Sequence, residues 1–245
     1  MRWRWLLALL PITSFATQNP CQNVGLKTIE KNAPVKGLPI HIVSKKPIKN
    51  LCEVIVELNG QLIPLYISEK GDYIISGEMF SSKRNITQSD LQEVKKEILK
   101  KRLKILDKYV VATYKPKKWN GKWFYFIADP ECPYCSYVKE RVKKLADKTH
   151  WGIKLVFFPL PFHKNSLTLS KSFICNKKNF QDYLENDFGN MSSSCKEAAK
   201  ENFVLKELNF IKATPTFLIP EMKTYNFKAV VGTNLKALEH YLSRN

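Results

Sequence analysis

Long apolar runs are scarce in this 245-residue chain, and so are histidines and acids. Leu6 to Ala16 is too short to cross a bilayer and no other segment is apolar for longer, so stable membrane insertion is not expected. Only four histidines are present, and His163, in the loop after Pro161, reads as a solvated loop residue rather than a catalytic one. Asp and Glu number 22 against 40 Lys and Arg, a net charge of +18. The lysines are scattered and no nucleic-acid recognition motif accompanies them, so the surplus reads as a Lys-rich solvated surface. There is no internal repeat and no low-complexity tract, which excludes solenoids and arrays.

What is present begins with an export signal. Arg2 and Arg4 precede the apolar Leu6–Ala16 stretch, which ends in Ser14-Phe15-Ala16, small residues at the two positions a signal peptidase reads. Residues 1–16 are therefore expected to be cleaved. The residues before Cys21 are Gln18, Asn19 and Pro20 rather than small apolar ones, so lipid attachment there is not expected. Outside the reducing cytosol an even count of six cysteines suggests pairing. They fall in sequence as Cys21 and Cys52, Cys132 and Cys135, Cys175 and Cys195, although spacing alone does not fix connectivity.

Along the chain, four prolines break residues 17–50 into short pieces, with one short helix near Val24–Lys31. Val54, Val56 and Leu58 then alternate up to Asn59-Gly60, a type I′ turn signal, and Leu62–Ile67 returns. A further turn at Lys70-Gly71-Asp72 leads into Tyr73–Ser76. Such a meander is marginal alone and needs a helix or a second copy to cover it. A long helix is expected from Ser89 to Val111, opened by a Ser89/Gln92 capping box and carrying Leu91, Val94, Ile98, Leu99, Leu103, Leu106 and Val110 on one slightly rotating seam.

Residues 123–145 organise the second half. Trp123–Ile127 reads as a buried strand that delivers Cys132-Pro133-Tyr134-Cys135 to the start of a helix with Val138, Val142 and Leu145 inward. Cys135 lies on that inward stripe, and Cys132 is expected at the exposed first turn. One accessible sulfur to attack and one shielded sulfur to resolve is the arrangement a dithiol redox centre needs. The amides and positive dipole end of a helix start favour a thiolate, and Pro133 suits a first helical turn. A zinc site would need two further ligands at matched spacing, which Cys175 and Cys195 do not supply, so no metal is expected. Ile153–Phe158 reads as a buried parallel strand and residues 164–210 as mostly helical. Strands at Phe217–Ile219 and Phe227–Val231 follow, then a last helix capped by Asn234.

That order, with CPYC at the first strand-to-helix turn and Thr214-Pro215 before the third strand, resembles the thioredoxin fold. The chain beyond residue 16 resembles the periplasmic disulfide isomerases of the DsbC and DsbG type, on LYISEKGDYIISGEMF followed by Asn85-Ile86-Thr87, on Phe158-Pro159, and on the spaced pair Cys175 and Cys195. Pro133-Tyr134 is the dipeptide of the DsbG branch and of glutaredoxins. The buried acid of thioredoxin, six residues before the first active-site cysteine, is replaced by Phe126, and Cys21 and Cys52 match no motif of the family.

The resemblance implies an α+β chain with an N-terminal dimerisation domain (17–86), a linker helix (87–114) and a thioredoxin-like catalytic domain (115–245) bearing a helical insertion at about 164–210. It implies Cys132 as nucleophile, Cys135 as resolving thiol, a cis Pro215 beside them, and Thr214, Pro215, Pro133 and Tyr134 facing substrate. Cys175 and Cys195 match the family's structural disulfide, and Cys21 with Cys52 is a possible second one. The implied activity is shuffling of incorrect disulfides in exported proteins by a periplasmic homodimer, with no cofactor and with a membrane reductant of the DsbD type. A DsbG-like reductase of sulfenylated cysteines and a chaperone with a secondary dithiol stand as alternatives.

Overall fold

The computed structural model describes residues 19–190 and 211–244. The expected signal segment, Cys195 and the latter part of the helical insertion lie outside the described residues. The chain divides into two compact units, Met1–Val94 and Lys95–Asn245, and the expected architecture, an antiparallel β domain followed by a mixed sheet with helices, holds.

In the first unit, α1 (Leu26–Asn32) precedes strands β1 (Ile40–Ile48), β2 (Leu51–Leu58), β3 (Gln61–Ser68) and β4 (Ile74–Ser76), which pair antiparallel in the order β1-β2-β3-β4. The β2–β3 turn takes the conformation its sequence demands, with Asn59 at φ 51° and Gly60 at φ 80°. Strand β1 is longer than the broken sequence suggested. It tolerates Pro47 because it is an edge strand, and it carries a bulge at Val43. One sheet face packs Val54, Val56 and Ile67 against Val24 and Ile29. Beneath α1, Cys21 and Cys52 form a disulfide with an S–S distance of 2.04 Å.

Glu53 and Tyr66 are buried in the same unit, and with them Thr87 and Asp90 of the next helix. Tyr66 donates to Glu53 Oε1 at 3.0 Å and shares a short hydrogen bond with Thr87, whose oxygen accepts from Met79 N at 2.7 Å. Lys46 reaches Asp90 at 2.7 Å. Burial raises Glu53 above the usual carboxylate range, and the neighbouring Asp90 adds to this. Burial likewise pushes Tyr66 up to about 12.

The two-stranded β5 (Phe80–Ser81) and β6 (Arg84–Asn85) lead into α2 (Ile86–Lys108). This helix starts before the predicted Ser89/Gln92 box, because the Asn85 side chain already accepts from Gln88 N at 2.9 Å. It also stops before Val111. Val110–Tyr114 forms strand β7, since the β-branched pair Val110-Val111 pairs with a neighbouring strand instead of continuing the helical seam. The second unit's sheet therefore begins at Val110, inside the segment expected as linker.

That sheet contains β8 (Trp123–Ala128), β9 (Gly152–Phe157), β10 (Thr216–Glu221) and β11 (Asn226–Val231), in the order β11-β10-β8-β9-β7. Among the described residues only β8 and β9 pair in parallel, joined by α3 (Pro133–Thr149). Helices α4 (Ser166–Cys175) and α5 (Phe180–Leu184) follow β9, and α6 (Leu235–Arg244) closes the chain, capped by Asn234 accepting from Ala237 N at 3.1 Å. On one sheet face, Phe124, Phe126, Phe157 and Phe217 pack against Val138 and Val142 of α3, Phe173 of α4, Tyr183 of α5 and Leu238 of α6. On the other, Tyr125, Ile127 and Val156 pack against Leu106 of α2. This is the thioredoxin fold, with the dithiol at the end of the central strand.

Candidate active site

Strand β8 ends at Ala128, and the turn Asp129–Glu131 carries the chain to Cys132, the N-cap of α3, with Pro133 at the first helical position. The start is closed by backbone: Cys132 N donates to Asp129 O at 3.1 Å, and the amides of Cys135 and Ser136 each donate to Cys132 O at 3.1 Å. The inward face of α3 holds Cys135, Val138, Val142 and Leu145 at helical spacing, as the sequence indicated.

Both thiols are free, and both are buried. The exposed first-turn position expected for Cys132 is corrected: its exposure is 3%, against 1% for Cys135. The reason is the loop before β10. Its Thr214–Pro215 bond is cis, and Cys132 Sγ lies 3.5 Å from the Thr214 carbonyl oxygen, so the loop lies over the sulfur. The dipeptide between the thiols is less enclosed, with the Tyr134 ring exposed. Burial pushes the Cys135 thiol well above the ordinary range. The inner thiol is thus held protonated until something draws its proton away.

The acids before the dithiol act as straps. Asp129 is 0% exposed; its Oδ1 accepts from Glu131 N at 2.8 Å and its Oδ2 from Leu160 N at 2.6 Å. Glu131 holds Asn165 through both backbone N (2.6 Å) and side-chain Nδ2 (3.0 Å). Together they tie the loop after β9 to the start of α3. His163 of that loop is no solvated residue: its Nδ1 lies 3.0 Å from Asp129 Oδ1, because the two straps turn the loop inward at this point. Phe162 beside it is exposed, as are Tyr134 and Tyr137 of α3.

Phe126 occupies the position where thioredoxin has its buried acid. Its ring stacks on Phe217 at 5.1 Å and meets Tyr183 edge-on at 6.0 Å, so no carboxylate underlies the dithiol there. Asp129 stood in plain view in the sequence, but its partners Leu160 and His163 did not. Tyr183 and Lys139 carried no signal beyond helical spacing. Cys175 is disulfide-bonded; Cys195, the partner expected for it, lies outside the described residues. Among the described residues no group of three or more His, Cys, Asp or Glu side chains is placed to hold a metal ion.

Residues 16–104 match the family described as the disulfide bond isomerase protein N-terminal domain, of DsbC type. No curated protein sequence matches the chain. Among solved structures, DsbG of Helicobacter pylori is similar at 17% identity, over 78% of this chain and 97% of its own, with a TM-score of 0.41. A disulfide interchange protein from Neisseria gonorrhoeae is 20% identical over 57% of this chain and 96% of its own, with a TM-score of 0.43. DsbA2 of Pseudomonas aeruginosa is 18% identical over 55% and 94%, with a TM-score of 0.41. The chain thus carries a match to a DsbC-type N-terminal domain over residues 16–104, followed by a thioredoxin fold.

Proposed function

We propose that the protein is an exported thiol–disulfide oxidoreductase that rearranges wrongly paired disulfides in periplasmic proteins. The observation that carries this is the contact between Cys132 Sγ and the carbonyl of Thr214, with Cys135 one helical turn behind. The Cys132 thiolate attacks a substrate disulfide; one sulfur of the substrate becomes bonded to Cys132 and the other leaves as a thiolate. In isomerisation that freed thiolate attacks another sulfur of the same substrate, and the chain of exchanges returns Cys132 to its reduced state. When this stalls, Cys135 attacks Cys132 and the substrate departs reduced.

An extended substrate segment pairs with the backbone at Thr214–Pro215, a mode that reads main chain and so admits many sequences. Tyr134, Tyr137 and Phe162 offer it an apolar rim. The dithiol must be kept reduced for this work, by a membrane thiol reductant of the DsbD type. The protein acts as a homodimer through its N-terminal domain, where Tyr73, Ile75 and Phe80 are exposed around the short strand β4.

Refolding of scrambled ribonuclease is the direct test. Cys132→Ala is expected to abolish reactivation while leaving any suppression of client aggregation intact. Reactivation at the parent rate in that variant would refute the reading, and activity confined to aggregation suppression in the parent would favour a chaperone.

A further inference from the structure

The cations of α3 behind the dithiol divide into two sets. Lys139 turns inward, its Nζ donating to Tyr183 O at 2.9 Å and to Asn186 Oδ1 at 2.6 Å. Lys143 lies 3.6 Å from Asp147 Oδ2 and 4.9 Å from the centre of the Tyr114 ring. The others, Arg141, Lys144 and Lys148, follow Tyr134 and Tyr137 at spacings of three and four residues, which puts all of these side chains on one exposed stripe of the helix. The stripe starts at the dipeptide between the thiols and runs for about 21 Å at the rise of an α-helix. Beside it α6 brings up Lys236, and Arg141, Lys144, Lys148 and Lys236 line a groove of about 250 Å³ together with Leu145 and Leu235. Two acids accompany them: Glu140, exposed at the side of the stripe, and Glu239, held by Lys148 at 2.5 Å. Among the described residues no acid lies within ion-pair distance of Arg141, Lys144 or Lys236. Arg141 is also fixed in place, since its Nη1 donates to the Tyr137 hydroxyl at 2.8 Å and its guanidinium lies 4.4 Å from the centre of that ring. A guanidinium held in this way loses less freedom on taking a carboxylate than a free side chain does.

We propose that this stripe is a docking track for acidic segments of client proteins, so that disulfides flanked by Asp and Glu are exchanged in preference to others. This rests on the thiol–disulfide reading above and names the clients it favours. Charge decides the occupant: the cations outnumber the acids beside them, and an extended acidic segment of about six residues matches the length of the stripe. A nucleic acid would meet the same charge but has no disulfide to deliver. Position decides the effect, because the track leads away from Tyr134 and Tyr137, which are exposed at the rim of the dithiol. A carboxylate-rich flank held on it brings its disulfide to Cys132 and raises the rate of the first attack, with the exchange chemistry unchanged.

The test follows single turnovers of the reduced full chain with two peptides closed by the same internal disulfide, one flanked by a short run of Asp and Glu and the other by an equal run of Ser and Gly. Freed peptide thiols are alkylated and counted by mass. At low salt the acidic peptide is expected to be reduced about tenfold faster than the neutral one, and the advantage should shrink at high salt. Lys144→Glu combined with Lys236→Glu should erase the advantage, while bis(2-hydroxyethyl) disulfide, which carries no charge, is reduced at the parent rate. Lys27→Glu combined with Lys31→Glu on α1 changes the net charge by the same amount and should leave the advantage in place. Equal rates for the two peptides in the parent would overturn the docking track, as would an advantage that survives reversal of Lys144 and Lys236. Slowing of the small disulfide to the same degree in that variant would also overturn it, and so would equal loss in the α1 variant, which would mean attraction by net charge alone. A parent protein that reduces none of these disulfides would instead overturn the thiol–disulfide reading on which the proposal stands.

Discussion

Asp129 shows how one side chain before a dithiol shapes the surface around it. Its carboxylate takes an amide from each of two loops, one 2 residues on and the other 31 residues on, and does so fully buried. Asp129→Ala strands both amides. It is expected to destabilise the second unit by about 3 kcal/mol, the scale of losing charged hydrogen bonds in a core, whereas Asp129→Asn, which keeps one acceptor, should cost about 1 kcal/mol. Thermal unfolding of the reduced protein would check the ranking, and equal loss in both variants would refute it. The cysteines themselves were legible from spacing, because position within a helix follows from four residues. The cover over Cys132 was not, because it comes from Thr214, 82 residues away.

Elements were legible where a single periodicity ruled and obscure where two rules competed. The β2–β3 hairpin announced itself through alternation and Asn59-Gly60. Strand β1 did not, because Pro47 and a lysine-rich face mask a strand that only an edge position permits. At the end of α2, Val110 continued the helical seam by spacing, yet pairing with β9 wins because it buries the segment in a sheet. Where β2, β3 and α2 meet, Glu53 is 2% exposed beside Tyr66, Thr87 and Asp90. Its folded state binds a proton more tightly than the unfolded chain does. The contribution of Glu53 to stability is therefore full below the ordinary carboxylate value and is lost as pH rises through the raised folded value. Glu53→Gln keeps an acceptor for Tyr66 and a donor for Asp90 without the charge. It should weaken the acid-to-neutral decline in stability of the first unit, read as exchange protection of β2 amides at pH 4 and pH 7. An unchanged decline would mean that Glu53 is not the titrating group.

For the whole molecule, the proposed dimer is the consequential claim. The β4 end of the first sheet leaves Tyr73, Ile75 and Phe80 exposed, while β1, at the other edge, is guarded by a bulge and a proline. Light scattering at micromolar concentration should give twice the chain mass, and Ile75→Lys should return it to the chain mass with the dithiol chemistry intact. A parent protein that is monomeric at that concentration would refute the dimer. Among the described residues no helix is long and apolar enough to cross a membrane. Thiolates reach a disulfide only by approaching a sulfur along the bond axis, and at the Cys21–Cys52 bridge the two residues are 6% and 0% exposed under a packed helix. With thiol–disulfide exchange as the proposed activity, burial keeps this bridge out of reach of the reactive sulfurs of neighbouring copies.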